Sequence, residues 1–474
     1  MKRLISGALV QVTVDGLNDD GLGVGHVADL DAALVIGNGL PGERGEALVI
    51  HRGRNRSVLR LLELESAPSA ARVKPECSRW TPGSPCRLMH LSAEARLEFK
   101  RALLTRALAE QGVRVDVPPC VSAGAQVGWR SRVIYLTRQH RGRALLGAYR
   151  RGSHQVQGML DCLLPEPRLS ELSVRLRDVL QGFRQLLPHA TPALDEGCGE
   201  PLGSNQLRAN LGKPSSPVAR GAGGQLHYLT LRGNARGECM VCFLGDLPGA
   251  TLDELARRSL EAGASSVFAA NSGSGDAVFG VEAPRWLAGE AALVDEVDGL
   301  TFELLPRTFF QVHRAAAARL QRDAVELVEG ARVLDVFSGV GALALRAARR
   351  GCQVTAIESV PEARDLALKN AARNGLELTL LGTEAGAALD SLGAVSRPFD
   401  TILVNPPRKG IGVEVAQRLL AMEPERIVYA SCNPRSLARD LTEFLPRYRL
   451  RQVTPYDLFP ASEHVEALAL LERA

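Results

Sequence analysis

The last third of the chain alternates short apolar runs with helical segments, and this alternation restricts the possible folds more than any other feature. After a predicted helix in FFQVHRAAAARLQRDAVELVEG, five apolar runs follow in order, namely RVLDVF, QVTAIE, LELTLL, DTILVN and RIVYAS. Strands that alternate with helices in this way predict a doubly wound, mostly parallel α/β sheet. Ligands of such sheets bind beyond the carboxyl ends of the strands. The residues that end each run are therefore the candidates for a functional site.

The rest of the chain divides into two further regions. Residues 1–62 combine alternating Val and Leu with Asp-Gly and Pro-Gly turns, which predicts a small β-barrel. Residues 63–300 mix strands and helices, so we expect an α+β central domain whose topology does not follow from the pattern. One helix in it is well marked, because Ser92 can cap its start and Gly112 can follow its end. Residues 301–474 form the third domain, with the alternating pattern.

Charge is distributed unevenly, although the net charge is only +4. The stretch from Val117 to Leu160 has no Asp or Glu but contains Arg130, Arg132, Arg138, Arg141, Arg143, Arg150 and Arg151. Guanidinium groups match phosphate oxygens, so this stretch suits the backbone of a nucleic acid. The alternative is a solvated arginine-rich surface without a ligand.

Location follows from composition. No apolar run approaches the roughly 20 residues of a membrane span, and the start lacks the apolar core of a signal peptide. Nine cysteines in 474 residues without such a signal favour reduced thiols. We therefore expect a cytoplasmic protein with no membrane partner.

The first and second strands end in residues suited to a nucleotide cofactor. The first run leads into DVFSGVG, in which Gly339 and Gly341 allow a tight turn and a close approach to a ligand. Glu358 ends the second run, where a carboxylate can accept bonds from two ribose hydroxyls. The third glycine of a dinucleotide fingerprint is missing. NAD and S-adenosylmethionine both remain open on these residues, as does a purely structural turn.

The fourth and fifth strands carry the candidate chemistry. The fourth ends in NPPRKG, whose prolines stiffen the backbone and present the Asn405 side chain to the crevice. The fifth ends at Cys432, just before a helix that Pro434 can start. A thiol at a helix N-terminus and beside Arg435 is expected to have a lowered pKa. A small buried cysteine is the alternative. Glu466 enters the last apolar run and is a candidate proton acceptor.

Four segments together, DVFSGVG, NPPRKG, SCNPRSLARDL and FPASEHVE, resemble the RNA 5-methyluridine methyltransferase family in order and spacing. The resemblance implies a Rossmann-like methyltransferase sheet and S-adenosylmethionine as the methyl donor. It also implies that the cofactor contacts Gln311, Phe337, Glu358 and Asn405. Cys432 matches the family's nucleophile and Glu466 its base. The N-terminal barrel looks like the family's RNA-binding TRAM domain, and WRSRV and GAYRRGSHQV look like its central RNA-facing segments.

The iron–sulfur region departs from the family. Many members hold a [4Fe–4S] cluster with four cysteines, and Cys77, Cys86 and Cys162 match three of these metal ligands. Gly83 stands where the remaining cysteine belongs, and a cubane cluster requires four thiolates. We therefore do not expect a standard cluster. Cys239 and Cys242 have C-x-x-C spacing, but their segment is predicted to be a core strand and not a metal site.

The leading hypothesis is an enzyme that makes 5-methyluridine in structured RNA, with no DNA partner. Asn405 in place of Asp, the TRAM-like barrel and the partial cysteine set favour 23S ribosomal RNA over transfer RNA. A 5-methylcytidine enzyme is a second reading, but its usual Pro-Cys is absent from NPPRKG. A non-catalytic RNA-binding or assembly factor is the third.

Overall fold

The computed structural model describes the whole chain apart from residues 1–3, 29, 54–55, 151–154, 191–223, 275–276 and 394–397, and it leaves out the side chains of residues 30–33. Arg151 of the arginine-rich stretch therefore lies outside the described residues. None of the helices that the structure describes combines the length and the apolar character that a membrane crossing requires.

The N-terminal region forms a closed five-stranded barrel in the order β1-β2-β3-β5-β4, which confirms the predicted barrel. Its core consists of inward-facing aliphatic side chains, among them Val14 and Val49. Gly25 permits the close pairing of β1 and β2, because a Cβ atom there would lie 2.0 Å from the carbonyl oxygen of Thr13. The strands are Leu9–Leu17 (β1), Gly23–Val27 (β2), Leu30–Ile36 (β3), Arg44–Arg52 (β4) and Ser57–Leu64 (β5).

The chain then continues through α1, Ala93–Glu110, which is capped as predicted. The Ser92 hydroxyl accepts a hydrogen bond from the backbone N–H of Ala95, and Gly112 follows the helix with a φ of +73°. Lys100 on this helix is fully buried and donates to the Asp457 carboxylate at 2.5 Å. This ion pair fixes α1 to the C-terminal domain.

The central domain contains a seven-stranded sheet in the order β12-β11-β10-β9-β6-β7-β8. Its strands are Arg132–His140 (β6), Arg143–Tyr149 (β7), Val156–Gly158 (β8), Leu226–Gly233 (β9), Cys239–Gly245 (β10), Ser266–Ala270 (β11) and Arg285–Gly289 (β12). Helices α2, Pro167–Gln181, and α3, Gly249–Glu261, cover one face with a buried apolar core. The strand over Cys239 and Cys242 confirms the prediction that these residues lie in a core strand.

A short hairpin, Leu293–Val297 (β13) and Leu300–Leu304 (β14), leads into the C-terminal domain. Its seven-stranded sheet has the order β17-β16-β15-β18-β19-β21-β20. The first five of these strands are parallel, and β20 and β21 are antiparallel, which confirms a mostly parallel sheet. The strands are Arg332–Val336 (β15), Gln353–Ile357 (β16), Thr379–Leu381 (β17), Thr401–Val404 (β18), Arg426–Ser431 (β19), Tyr448–Tyr456 (β20) and Glu466–Arg473 (β21).

Helices pack on both faces of this sheet and bury an aliphatic core on each side. They are Arg314–Glu326 (α4), Ala342–Arg349 (α5), Pro361–Arg373 (α6), Ala385–Leu392 (α7), Gly412–Ala421 (α8) and Pro434–Phe444 (α9). The helix predicted from the FFQVH segment begins later than expected. His313 is its N-cap, and its ring nitrogen accepts a hydrogen bond from the N–H of Ala316. Residues 308–312 therefore precede the helix as a non-helical segment.

Candidate active site

The glycine turn after β15 has a strained backbone. Phe337 has a φ of +67°, although it has a side chain, and Gly339 and Gly341 follow with φ of +58° and +91°. A non-glycine residue in the left-handed region costs on the order of 1–3 kcal/mol, and such residues cluster at ligand sites. A Cβ atom on Gly339 would meet no atom within 4 Å, so space is open above the turn. The turn can therefore receive a ligand beyond the strand end.

Glu358 holds this turn from the neighbouring strand β16. One of its carboxylate oxygens accepts from the N–H of Gly339 at 2.9 Å, and the other accepts from the N–H of Val360 at 2.7 Å. A carboxylate has about four lone-pair positions, so two remain for other donors. This geometry fits the predicted contact with two ribose hydroxyls.

Asp335 is a residue of this site that the sequence reasoning missed. Its carboxyl group is 1% exposed, and Oδ2 accepts from the N–H of Ala344 at 2.9 Å. Burial raises the pKa of Asp335 to about 7; the bond from Ala344 opposes the shift and the charge of Glu358 adds to it. Among the described residues, Oδ1 of Asp335 and Oγ of Ser338 have no hydrogen-bond partner. Two unpartnered buried oxygens beside a glycine turn fit a polar cofactor. Their signal in the sequence was an Asp inside the otherwise apolar first run.

Cys432 lies between β19 and α9, at the start of the helix as predicted. Asn433 caps this helix through its side-chain oxygen, which accepts from the N–H of Arg435, and Pro434 occupies the first turn. The Asn433 amide also donates to the carbonyl oxygen of Arg408 at 2.9 Å. The segment that begins at Asn405 is thereby fixed beside the thiol.

The expected lowering of the thiol pKa is wrong. Burial raises the pKa of Cys432, and the negative charge of Glu466 adds to the increase, while Arg408 opposes it. The expectation relied on Arg435, but the guanidinium group of Arg435 pairs with Asp19 of the barrel domain. Desolvation therefore outweighs the positive potential of the helix terminus.

Glu466 is the first residue of β21 and is 3% exposed. The antiparallel register pairs Ser431 with Ala467, so Glu466 lies level with Cys432 at the carboxyl end of β19. Burial raises the pKa of Glu466 to about 7, while a hydrogen bond with Gln311 and the charge of Arg408 oppose the shift. A carboxyl group that titrates near neutral pH is suited to take up a proton at physiological pH.

Gln311 and Arg408 form a cluster with Cys432 and Glu466. Gln311 was expected at the cofactor, and the structure places its side chain in a hydrogen bond with Glu466. Arg408 lies close enough to affect the pKa of both Cys432 and Glu466, and it contacts His464 at 3.4 Å. Its signal in the sequence was an Arg at the position after Asn-Pro-Pro where an aromatic residue is common.

Asp440 supports the NPPRKG segment from beneath. Its carboxylate accepts from the N–H of Ile411 at 2.8 Å and from the Tyr429 hydroxyl at 2.7 Å. Gly410, with a φ of +80°, packs directly over it, because a Cβ atom there would lie 2.2 Å from the Asp440 oxygen. Asn405 follows β18 and its N–H points to the carbonyl oxygen of Val336 at 3.4 Å. Asn405 therefore lies at the same sheet edge as Phe337 and Glu358, as predicted.

The three cysteines that match the iron ligands lie near one another, and Gly83 stands where a fourth would be needed. Burial raises the pKa of Cys86 to about 12, and the neighbouring Cys162 and Cys77 add to the increase. Within the described ranges no group of three or more His, Cys, Asp or Glu side chains is arranged to hold a metal ion. A Cβ atom on Gly83 would have only the Thr81 hydroxyl within reach, at 4.0 Å. The described residues therefore do not fit a four-iron cluster.

Part of the arginine-rich stretch has a structural role that the sequence did not predict. Arg130 donates to the carbonyl oxygen of Arg132 at 2.9 Å, and its guanidinium group lies 5.9 Å from the centre of the Trp129 ring. Arg132 donates to the carbonyl oxygen of Pro306 at 2.8 Å. Arg130 is thus engaged within the central domain and Arg132 joins that domain to the segment before α4, so the phosphate-binding interpretation applies to the others.

Comparisons with known proteins agree with this architecture. The sequence model of the tRNA (uracil-5-)-methyltransferase family matches residues 296–474. An uncharacterized RNA methyltransferase of Nostoc sp. is 30% identical over 98% of this chain and 96% of its own length. A relative from Listeria monocytogenes, also an uncharacterized RNA methyltransferase, is 28% identical over 98% of this chain and 97% of its own length.

One solved structure matches almost the entire fold. The tRNA (uracil-54, C5)-methyltransferase of Pyrococcus abyssi, in complex with S-adenosyl-L-homocysteine, has a TM-score of 0.71 and 26% identity. The match covers 98% of this chain and 100% of the archaeal chain. These matches confirm the family resemblance that the four motifs indicated, and the structural match extends it to nearly the whole chain. The chain belongs to the RNA uracil-C5 methyltransferases, a family of S-adenosylmethionine-dependent enzymes.

Proposed function

We propose that this protein methylates C5 of a uridine in structured RNA, with ribosomal RNA as the substrate, through a covalent adduct at Cys432. The observation that carries the proposal is the cluster of Cys432, Glu466, Gln311 and Arg408 at the carboxyl edge of the sheet. Glu358 and the glycine turn lie at the same edge, because β15, β16, β18 and β19 are parallel. A nucleophile, a proton acceptor and a cofactor site therefore face one crevice.

Cys432 and Glu466 act at different stages of the proposed reaction. The Cys432 thiolate attacks C6 of the uracil, and the electrons of the C5–C6 double bond move toward O4 to form an enolate. Bound S-adenosylmethionine supplies a sulfonium methyl group, which C5 takes up as the methyl–sulfur bond breaks. The Glu466 carboxylate then removes the C5 proton, the C5–C6 double bond forms again, and the thiolate leaves. The target base must leave its stack to reach both groups.

Other residues of the crevice have supporting roles in this scheme. Arg408 stabilises negative charge on both Cys432 and Glu466, so it favours the thiolate before attack and the carboxylate before proton removal. Gln311 orients the Glu466 carboxyl group through their hydrogen bond. Glu358, Phe337 and Asn405 bind the cofactor, with Glu358 on the ribose.

The NPPRKG motif, with Asn405 in place of Asp, favours ribosomal RNA. This motif resembles the branch of the family that acts on 23S ribosomal RNA. The barrel does not separate the two substrate classes, because the archaeal transfer-RNA enzyme matches 98% of this chain. A cytoplasmic location is proposed because RNA is the proposed substrate, and the barrel domain and the exposed arginines are proposed to hold the RNA backbone.

The two mutants Cys432→Ala and Glu466→Gln test this proposal, because the residues act at different stages. Each purified variant is incubated with labelled S-adenosylmethionine and total RNA from a deletion strain. Cys432→Ala should give neither methylation nor covalent RNA. Glu466→Gln should accumulate a methylated protein–RNA adduct that survives denaturing electrophoresis.

Cys352→Ala is the matched control, since Cys352 lies between α5 and β16, at the edge of the sheet opposite to the cluster. Mapping the labelled nucleotide in separated ribosomal and transfer RNA identifies the substrate class. Methylation by Cys432→Ala at a rate near wild type would refute the covalent mechanism. Label in cytidine would favour the 5-methylcytidine reading, and no label in any RNA would favour an assembly factor.

A further inference from the structure

The loop between β20 and β21, residues 457–465, carries a histidine at the border of the active-site cluster. His464 lies two residues before Glu466 and is half-buried. Its ring nitrogen Nε2 lies 3.4 Å from a guanidinium nitrogen of Arg408. A guanidinium group only donates hydrogen bonds, so Nε2 is the acceptor and the imidazole is neutral, with its proton on Nδ1. Such bonds are often long in the free enzyme and shorten when substrate binds.

The same guanidinium group contacts the thiol. Burial raises the pKa of Cys432 and the charge of Glu466 adds to the increase, while Arg408 opposes it through its charge and through a side-chain hydrogen bond to the thiol. A guanidinium group presents its donors in a rigid planar fork. A bond from one nitrogen to His464 therefore restricts the directions of the other nitrogens, one of which reaches Cys432.

The Arg408 side chain needs such a contact to keep its orientation. Arg408 is exposed, and an exposed arginine side chain has many accessible rotamers. Its carbonyl oxygen accepts from the Asn433 amide at 2.9 Å, which fixes the backbone but not the side-chain torsions. Burial raises the pKa of both Cys432 and Glu466, and neutral groups attract a cation less than anions do. A neutral imidazole can hold the arginine before either group ionises.

Contacts within the loop hold the imidazole in place. The ring of Phe459 packs edge-to-face on the His464 ring, with 5.9 Å between the centroids and 78° between the planes. The backbone N–H of His464 donates to the Ser462 hydroxyl at 3.3 Å, and this hydroxyl donates to the carbonyl oxygen of Phe459 at 2.9 Å. Ala461 has a φ of +66°, a strained conformation that is typical of functional sites when a non-glycine residue adopts it.

The loop is also anchored to other parts of the chain. The buried Lys100 of α1 donates to the carbonyl oxygen of Phe459 at 3.0 Å. The Phe459 ring packs edge-to-face on Trp129 of the central domain, with 6.3 Å between the centroids. The position of His464 is therefore set by the folded protein before any RNA binds.

We propose that His464 is the positioning residue of Arg408: its imidazole accepts a hydrogen bond from the guanidinium group and holds that group where it bonds to the Cys432 thiol. The proposal rests on the proposed function, in which Cys432 is the nucleophile, and it names a residue that acts on this nucleophile through Arg408. In this role His464 takes up no proton and makes no bond to the substrate. The alternative is a structural ring that only packs on Phe459.

Two substitutions in the full-length protein separate these roles. His464→Phe keeps an aromatic ring against Phe459 and removes the acceptor, whereas His464→Gln removes the ring and keeps an acceptor within reach of Arg408. The readout is the rate at which iodoacetamide alkylates Cys432 from about pH 6 to about pH 9, around the ordinary pKa of a thiol, followed by mass spectrometry of the peptide that contains this cysteine. His189→Phe is the matched control, because the His189 ring nitrogen also contacts a side chain, that of Gln139 at 3.3 Å, but in the central domain.

His464→Phe should lower the alkylation rate of Cys432 at neutral pH by about tenfold, since a hydrogen bond to a charged group contributes a factor of this order. The midpoint of its pH profile should move upward by about one pH unit. His464→Gln should restore a rate close to that of the wild type, and the control should match the wild type. Adding His464→Phe to Arg408→Met should cause no further loss, because His464 acts through Arg408.

An unchanged alkylation profile in His464→Phe would overturn the positioning role, and so would additive losses in the double variant with Arg408→Met. A slow His464→Gln beside a fast His464→Phe would show that only ring packing matters. If His464→Phe lowers the Tm, His464→Ala takes its place and must show the same loss of reactivity; a wild-type rate in it would also refute the proposal. Alkylation requires neither RNA nor methyl transfer, so a wild type that methylates no RNA would refute the proposed function and leave this readout intact.

Discussion

Glu466→Gln should stabilise the protein at alkaline pH and have a much smaller effect at acidic pH. The raised pKa of the buried Glu466 means that the folded protein holds this proton up to about pH 7, whereas the unfolded chain releases it near the ordinary value of 4.5. The stability contributed by the protonated group is complete below about pH 4.5 and is lost as the pH rises toward about 7. Glutamine does not ionise, so the variant avoids this loss.

The magnitude follows from the two pKa values. Each pKa unit corresponds to about 1.4 kcal/mol, so ionisation costs the wild-type protein about 3.5 kcal/mol of folding free energy above pH 7. About 2.5 kcal/mol of this accumulates between pH 5 and pH 8. A domain of this size changes its Tm by about 2–4 °C per kcal/mol, so the variant should gain several degrees over the wild type across this range.

The assay is thermal unfolding of the wild type and the variant across this pH range, analysed as the difference in Tm at each pH. Glu414→Gln is the control, because the Glu414 side chain is 90% exposed and loses no hydration on folding. A Tm difference for Glu466→Gln that does not change with pH would show that Glu466 ionises like a surface carboxylate. The assignment of Glu466 as a base poised near neutral pH would then be wrong.

Three other predictions concern separate parts of the molecule. Lys100→Met should destabilise the protein by about 3–5 kcal/mol in denaturant unfolding, because it leaves the Asp457 carboxylate buried without its partner. The double variant Lys100→Met/Asp457→Leu should recover most of this stability. If it recovers none, the argument from the Lys100–Asp457 ion pair is wrong. Glu358→Ala should weaken S-adenosylhomocysteine binding on the order of 100-fold in calorimetry, since two charge-assisted bonds to the ribose are lost, and tight NAD binding instead would refute the cofactor assignment. Protein purified without oxygen should contain well under about four irons per chain and no broad absorbance of a thiolate-bound cluster; a full complement of iron would show that an outside ligand replaces the missing cysteine.

The C-terminal sheet was predictable because its signals are local. Each of the five strands is a short apolar run that ends in a turn residue, and the parallel order brings those ends to one edge. The positions of Cys432, Glu358 and Asn405 at that edge follow directly. The central sheet was not predictable in the same way, because β6 pairs with β9 far along the chain. Local patterns identify strands, whereas long-range packing decides their neighbours.

The start of α4 shows a similar limit. Helical spacing continues upstream through the FFQVH segment, so periodicity alone places the helix start too early. The structure begins the helix at Arg314 because the His313 ring accepts the N–H of Ala316 and stacks on Trp129 at 5.1 Å between centroids. An aromatic contact from a different domain therefore sets the boundary, and this boundary frees Gln311 to reach Glu466.

The electrostatics of the thiol were the least accessible part of the site. Sequence proximity assigned the activating charge to Arg435, three positions after Cys432. In the structure, Arg435 forms an ion pair with Asp19, which also pairs with Arg106. Asp19 precedes the cysteine by more than 400 positions. The cation that acts on the thiol is Arg408 from the neighbouring strand end, and the same cation acts on Glu466. Arg408 can therefore stabilise the proposed nucleophile and the proposed base in turn, because they ionise at different stages of the proposed reaction, whereas Arg435 is paired with Asp19 of the barrel domain.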